Sequence, residues 1–445
     1  MLMKKSFSVH FIGVCGAGMS ILAKYLKYSG FIVSGSDIIK NEIYSELISC
    51  GINVFIGHNK QNVQNADIVV VSSSIKEDNV EYLEALRLEK AIYKRAQLLG
   101  LITSTIKNSI GIAGTHGKTT STAMATHILK RSLINFTSFI GGNDLLYNNF
   151  VYNDDSKFLV SEVCEYDRNI KHVSPYVSVV LNIDNDHLDC YKGVLDLKNE
   201  FYEYLSRSKY KIVCFDDKSL KEYNSNNVIS FAINEEADYK AENIKNEDGK
   251  YSFTVKLKNG NNIQIKLNVL GKHNIYNALS NIALFDGVFN FDENVIKSGI
   301  ESFVGVKRRF EYLGKLNDFN IYADYCHHPT EIKETLKVYK EFLKGDYKVI
   351  FQPHTFSRTE ILFSDFVHVL KNENILIFST YPAREKYNYK GSAKRLAKSL
   401  KCKYIKNEIK LKNTLKKRKF TKNYIILGAG DLYDIMTNFI KCGLK

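Results

Sequence analysis

Residues 108–133, NSIGIAGTHGKTTSTAMATHILKRSL, constrain this chain more than any other stretch. The apolar run Ile110 to Ala113 has the length and composition of a buried strand. Gly114-Thr115-His116-Gly117-Lys118-Thr119-Thr120 follows without a break and leads into a long helix-forming segment. Strand, glycine loop and helix in that order form a phosphate cradle. Glycine lets the backbone turn tightly and aim N–H groups inward, and the helix N-terminus adds its positive end. Lys118 then reaches the β- and γ-phosphates of a nucleotide, and the Thr119 hydroxyl binds Mg²⁺. The fit to G-x-x-x-x-G-K-[ST] is imperfect, because Ile112 takes the first glycine position and Gly111 stands one place early. A turn that binds nothing is the alternative. Gly117-Lys118-Thr119, placed between a strand and a helix, favours the phosphate.

The N-terminal stretch repeats the pattern more weakly. A strand over residues 8–14 runs into Gly13, Gly16 and Gly18, and a helix follows from about Met19 to Tyr28. A second strand, residues 31–35, ends at Ser36-Asp37. An acid after the second strand of a βαβ unit suits nucleotide binding, but the glycine spacing is not that of dinucleotide folds. A nucleotide or nucleotide-sugar site and an ordinary turn both remain open here. Another strand, residues 66–71, ends in Ser72-Ser73-Ser74, and open parallel sheets bind ligands at that edge. A helix over about 78–88 and the Arg95 region complete a first domain, 1–107.

Beyond the phosphate loop, the strand at 157–163 carries Glu162 near its end, with Glu165 close behind. The strand at 177–183 feeds Asp184-Asn185-Asp186-His187. A parallel sheet brings both ends beside the loop, which makes Thr119, Glu162 and His187 candidate metal ligands. Residues 251–270 read as an antiparallel hairpin turning at Asn259-Gly260. Gly271-Lys272-His273-Asn274 opens a helix, and Arg308-Arg309 closes a second domain, 108–310. The remainder, 311–445, alternates strand and helix: strands at 320–325, 347–353, 374–379 and 424–427, helices at 330–342, 359–370 and 392–400. Two of its strand ends are polar, Asp324-Tyr325-Cys326-His327-His328 and Gln352-Pro353-His354-Thr355-Phe356-Ser357-Arg358. The adjacent histidines raise zinc, but no third nitrogen or sulfur ligand stands at suitable local spacing. The alternative is a pocket for a small zwitterion, with Arg358 on its carboxylate.

The fold class expected is therefore α/β in three consecutive domains. The first is Rossmann-like. The second is a phosphate-loop, mostly parallel sheet with an added antiparallel hairpin, and the third is again Rossmann-like. A net charge of +14 admits nucleic-acid binding. The lysines come in a chain rich in Asn, Ile and Tyr with four Pro and no Trp, so codon bias accounts for them as well. The densest basic run, residues 410–422, suits a solvated face. No apolar run reaches the roughly 20 residues of a membrane span. Eight cysteines without C-x-x-C spacing favour reduced thiols and a cytoplasmic location.

Taken together, these segments resemble the Mur ligases of peptidoglycan synthesis over nearly the whole chain. The likeness rests on GVCGAGMS, SGSD, SSSIKEDN, GTHGKTT, SEVCEYDR, NIDNDHLDCY, GKHNIYNA, GVKRRFE, DYCHHPTE, FQPHTFSRT and GAGDL. The first and last groups, with DYCHHPTE and FQPHTFSRT, resemble the alanine-adding branch. Departures are small. Cys164 stands where many relatives have a carboxylate, Cys15 and Cys326 replace small residues, and Thr355 stands where many have Arg. The resemblance implies ATP-dependent joining of L-alanine to the lactyl carboxylate of UDP-N-acetylmuramate through an acyl phosphate, with Mg²⁺. It assigns ATP to Gly114, Thr115, His116, Gly117, Lys118, Thr119, Thr120, His273, Asn274, Asn277, Arg309 and Asp324. It assigns the nucleotide sugar to Gly16, Ala17, Gly18, Met19, Ser36, Asp37, Ser72 and Ser73. Lys118, His187, His327 and Arg358 carry the catalytic roles, the last two by positioning alanine. The partners it implies are those two substrates, with neither nucleic acid nor membrane, in a monomer or weak homodimer. A sister ligase for another amino acid or peptide, and a non-enzymatic binder with a dead phosphate loop, are the rival readings.

Overall fold

The computed structural model describes residues 7–184, 190–383, 385–417 and 421–443. Its sheets are built on apolar runs such as IVVV (Ile68–Val71), VSVV (Val177–Val180) and ILIF (Ile375–Phe378), buried along their whole length. Strands covered on both faces have no need of alternation, which is why such runs signal parallel α/β sheets. The first sheet comprises β1 (Ser8–Ile12), β2 (Ile32–Asp37), β3 (Asn53–Ile56), β4 (Ile68–Val71) and β5 (Ala91–Lys94). All are parallel, in the order β3-β2-β1-β4-β5. The order reverses at β1, and Gly13, Asp37 and Ser72 lie at the carboxyl ends of β1, β2 and β4.

The second sheet contains β6 (Asn108–Ala113), β7 (Phe136–Asp144), β8 (Asn148–Val151), β9 (Phe158–Glu162), β10 (Val177–Val180), β11 (Tyr210–Cys214), β12 (Val228–Ala232) and β13 (Tyr239–Lys240). Its order is β13-β12-β11-β10-β6-β9-β7-β8, with only the β7–β8 pair antiparallel. The phosphate-loop strand β6 lies between β9 and β10, in register Ile112 with Glu162 and Ala113 with Val180. A three-stranded sheet follows, β14 (Glu242–Glu247), β15 (Lys250–Lys256) and β16 (Asn262–Leu270). The β15–β16 turn closes with Leu257 N–H on the Asn261 carbonyl (2.8 Å), and Gly260 takes φ +91° there. This is the hairpin expected at Asn259-Gly260.

The last sheet is β17 (Glu311–Leu316), β18 (Phe319–Asp324), β19 (Lys348–Phe351), β20 (Ile375–Phe378), β21 (Lys403–Ile405) and β22 (Asn423–Leu427). Its order is β17-β18-β22-β19-β20-β21, parallel except for the β17–β18 hairpin. Leu432, Met436 and Phe439 of the Leu432–Cys442 helix pack on one face. Ile332, Leu336, Tyr339, Phe366 and Leu370 pack on the other. The single helix expected over 359–370 is two, Phe356–Ile361 and Phe363–Leu370, because the backbone leaves helical geometry at Leu362.

The chain falls into two compact units. One holds the first two sheets. The other holds residues 246–251, 268–272 and 305–445. Within the first unit an aromatic joint ties helix Ala17–Tyr28 to the β7–β8 hairpin. Tyr25 meets Phe139 edge-on at 5.5 Å, and Tyr28 stacks on Tyr152 at 5.6 Å and on Phe150 at 6.0 Å. Lys24, only 2% exposed, reaches Glu46 at 2.7 Å and Asn149 at 3.3 Å, with its ammonium over the Phe150 ring. Gly100 adds a second tie, since a Cβ there would lie 2.0 Å from the His172 carbonyl oxygen.

The phosphate-loop helix, Lys118–Ser132, is backed by helix Glu293–Ser302 at Gly299. A Cβ on Gly299 would come within 2.5 Å of the Ile128 Cα. Gly299→Ala is therefore expected to destabilise the first unit by about 1 to 3 kcal/mol through overpacking. A lowered thermal unfolding midpoint checks this, and an unchanged midpoint contradicts it.

Candidate active site

Three groups of side chains lie at strand carboxyl ends, one in each of the three parallel or mostly parallel sheets. At β6, the loop leaves the strand at Gly114 (φ +134°) and enters the helix at Gly117 (φ +86°). Asn182, just after β10, braces it from below. Its side-chain oxygen accepts the His116 N–H at 2.8 Å, and its amide donates to the His116 carbonyl at 3.0 Å. Asp184 N–H donates to the Thr115 hydroxyl at 2.9 Å. The Thr119 hydroxyl donates to Glu162 at 2.7 Å, and Gly141 N–H donates to the same carboxylate oxygen at 3.1 Å. Two oxygen ligands side by side suit a hard divalent cation.

Lys118 is folded back in this structure. Its ammonium donates to the carbonyls of Gly114 and Thr115 and pairs with Glu165 at 3.1 Å. Burial works against the ammonium, but Glu165 and its neighbours Cys164 and Glu162 outweigh it and leave the pKa above the usual lysine value. Glu165 is 1% exposed, and its backbone carbonyl is held by the Tyr191 hydroxyl. Asn277 and Asn274, on helix His273–Ile282, are buried and bonded to each other at 2.9 Å. The Ser121 hydroxyl donates to Asn277 at 3.1 Å, so both asparagines lie behind the loop, while His273 is exposed. Thr120 lies in the first turn, partly exposed.

At the first sheet, Gly16, Ala17, Gly18 and Met19 form the start of the Ala17–Tyr28 helix, which has no side-chain cap. Asp37, 7% exposed, accepts the N–H of Cys15 at 2.9 Å and of Ile39 at 3.1 Å. It holds the glycine turn from the neighbouring strand. Ser36 is turned away from the edge. Its hydroxyl is buried on Glu81 and His58, and its carbonyl accepts Gly13 N–H at 2.8 Å. Burial alone would raise the Glu81 carboxyl, yet hydrogen bonds from His10, Ser36 and Asn62 bring it to about 2. Ser72 is half-buried against Gly13, and Ser73 is exposed. Arg95, passed over as a site residue, lays its side chain across Gly18 at the helix start.

The third group lies at the ends of β18 and β19. Asp324 accepts the N–H of Phe310 at 3.0 Å and of Cys326 at 2.9 Å. Burial pushes its carboxyl upward, against the pull of Arg309. His328 caps helix Pro329–Phe342, accepting Thr330 N–H through Nδ1 at 3.3 Å, so it does not form a pair of ligands with His327. Among the described residues no cluster of three metal-binding side chains occurs. His327 Nδ1 is 3.0 Å from the Tyr325 carbonyl, its ring lies 5.9 Å from that of His354, and Arg358 approaches His354 Nδ1 at 3.4 Å. Among the described residues Arg358 has no carboxylate partner. His327 and Arg358, expected to act together, do converge. His354 completes the cluster, and its signal in the sequence was its place in the same polar strand end. His187 lies outside the described residues.

Fold and site together define a phosphate-loop α/β protein with a nucleotide-type glycine turn before it and a cation–imidazole cluster after it. Family profiles match along its length: the Mur ligase family catalytic domain at residues 8–106, the Mur ligase middle domain at 112–285, and the Mur ligase glutamate ligase domain at 308–431. The chain belongs to the Mur ligase family. It is 37% identical to the UDP-N-acetylmuramate–L-alanine ligase of Clostridium tetani, over 97% of this chain and 98% of the relative. It is 39% identical to that of Caldicellulosiruptor saccharolyticus over 95% of each. Its fold matches the crystal structure of UDP-N-acetylmuramate–alanine ligase MurC from Thermotoga maritima with a TM-score of 0.82, at 25% identity, over 98% of this chain and 99% of the other.

Burial, with the nearby charges of His327 and Arg358, depresses His354 to about 4. His327 is depressed as well, chiefly by burial and against the opposing pull of Glu331. Both imidazoles are thus neutral near pH 7. The expected result is that the His354 ring shows no titration step near pH 6.5 and protonates only around pH 4. Imidazole NMR across that range, assigned with a His354→Gln variant, checks it. A midpoint above 6 contradicts it.

Proposed function

We propose that this ligase joins the α-amine of L-alanine to the lactyl carboxylate of UDP-N-acetylmuramate, with ATP converted to ADP and phosphate. The observation that carries this reading is the likeness, over nearly the full length of both chains, to relatives named for that reaction. The site chemistry agrees with it. A carboxylate is a poor electrophile at neutral pH, and transfer of the γ-phosphoryl group makes it an acyl phosphate. The amine attacks that carbonyl, and the tetrahedral intermediate expels phosphate.

The first step brings two anions together and needs fixed positive charge. Lys118 leaves Glu165 and the loop carbonyls to meet the β- and γ-phosphates, while the loop N–H groups and the helix start hold them. Thr119 and Glu162, already 2.7 Å apart, fit Mg²⁺, with His187 as the further ligand. When bound, Mg²⁺ neutralises charge on the phosphoryl oxygens. Asn274 and Asn277 shape the back of the ATP loop, and His273, Arg309 and Asp324 are assigned to the nucleotide by family likeness. Gly16, Ala17, Gly18 and Met19 receive the acceptor's diphosphate at the helix start, beside Ser72 and Ser73. Asp37 orients the turn, and Ser36 acts through its backbone. His327 and Arg358 hold alanine, with the guanidinium fork on its carboxylate. These roles divide into the three functional regions 1–107, 108–310 and 311–445. The enzyme works in the cytoplasm as a monomer or weak homodimer, with neither nucleic acid nor membrane as a partner.

The test is phosphate release from ATP with the acceptor present and the twenty amino acids offered one at a time. Release with L-alanine, weaker with glycine and serine, supports the reading. Release with another amino acid alone, or with none, overturns it. In the same assay Arg358→Lys keeps the charge but loses the two-pronged bond. It is expected to raise the alanine KM about 10- to 150-fold, the worth of a charge-assisted hydrogen bond, with the ATP and acceptor KM little changed. An equal rise for all three substrates contradicts this.

A further inference from the structure

We propose that Glu385 is a positioning residue for the amino-acid substrate, clamping the turn that carries His354 and Arg358. The inference deepens the alanine-ligase reading and rests on it. Between β19 and helix Phe356–Ile361 the chain passes through Thr355 at φ +66°, ψ +149°. A β-branched residue in that region is strained and persists only where its surroundings over-determine it.

The surroundings come from residues 379–383 and 385–391. Glu385 Oε2 accepts the N–H of Phe356 at 2.7 Å and of Ser357 at 2.9 Å, and the Ser357 hydroxyl donates to its other oxygen. Thr355 N–H donates to the Tyr381 carbonyl, and Tyr381 N–H to the Pro353 carbonyl, each at 2.9 Å. The Tyr381 ring stacks on His354 at 5.6 Å. At the far end Asn388 donates to Glu360 at 2.6 Å, and a Cβ on Gly391 would lie 1.8 Å from the Phe356 carbonyl oxygen. The segment therefore straps the turn from both sides.

Within that strap Glu385 has the central part. Two successive N–H groups at a helix start point the same way, and a carboxylate can accept both. Thr355, the residue at the cap position, accepts a long bond from Arg358 N–H, 3.4 Å. Since the oxygens of Glu385 are occupied by Phe356 and Ser357, this nearby acid leaves the Arg358 guanidinium open for a substrate carboxylate. The clamp thus fixes where the guanidinium stands without neutralising it.

Steady-state kinetics on Glu385→Ala and Glu385→Gln, with each substrate varied in turn, test the clamp. Glu385→Ala is expected to raise the alanine KM at least about tenfold, the lower bound for losing one charge-assisted bond. The ATP and acceptor KM should stay within about twofold, and kcat should fall much less than the alanine KM rises. Glu385→Gln keeps an acceptor oxygen and should recover part of the loss. If Glu385→Ala does not fold, the Gln variant alone must show the selective rise. An unchanged alanine KM in a folded variant, or a parallel shift of all three KM values, overturns the clamp. The wild-type assay comes first. Wild type that releases no phosphate with alanine overturns the reaction reading, whereas active wild type with indifferent variants overturns only the clamp.

Discussion

Close backbone approach around β6 is the constraint on which the rest of the first unit depends. A Cβ on Gly111 would come within 2.2 Å of the Tyr204 hydroxyl, and one on Gly117 within 2.5 Å of the Asn277 side-chain oxygen. A Cβ on Gly114, at φ +134°, would lie 3.1 Å from the backbone nitrogens of Leu181 and Asn182. Only glycine satisfies both the conformation and the space. The tight seating of β6 against its neighbours puts Glu162 level with Ile112, and hence its carboxylate beside Thr119. Geometry that organises a phosphate is thus a by-product of how three strands and two helices must fit.

Electrostatics complete that arrangement. In this structure the loop lysine has an internal counter-ion, Glu165, and the metal-type ligands Thr119 and Glu162 are bonded to each other. Nucleotide entry is then an exchange of partners. In the proposed reaction Lys118 trades a buried carboxylate for phosphate oxygens, and Glu165 leaves no bare buried charge in the loop before that exchange. At the third sheet the balance differs. Arg358 lies beside neutral imidazoles and keeps its charge for an incoming anion.

Much of this was legible before any coordinates, for identifiable reasons. Buried parallel strands announce themselves as unbroken apolar runs, so β1, β4, β6, β9, β10, β19, β20 and β22 fall where the pattern put them. Short edge strands do not. AIYK of β5 and KYI of β21 are half-exposed and resemble loop sequence, and the β7–β8 pair has glycines and asparagines in place of clean alternation. The Lys118–Thr119 loop was legible because its residues are contiguous. Glu165, Glu385 and the inward turn of Ser36 were not, because their roles come from partners that are distant in sequence: Lys118 across 47 residues, Phe356 across 29, and Glu81 across 45. Gly18 and Arg95 likewise belong to different βα units. No local spacing encodes such meetings.

The aromatic joint sets a limit on modularity. Tyr25 and Tyr28 share a helix with Gly18, yet their rings rest on a hairpin more than a hundred residues away, and Lys24 is buried there between Glu46 and Asn149. A first sheet transplanted from a relative would meet a foreign hairpin and leave a buried ammonium without its acceptors. Helix Ala17–Tyr28 and the β7–β8 hairpin therefore form one packing unit, although the glycine turn and the phosphate loop look like independent cassettes in the sequence.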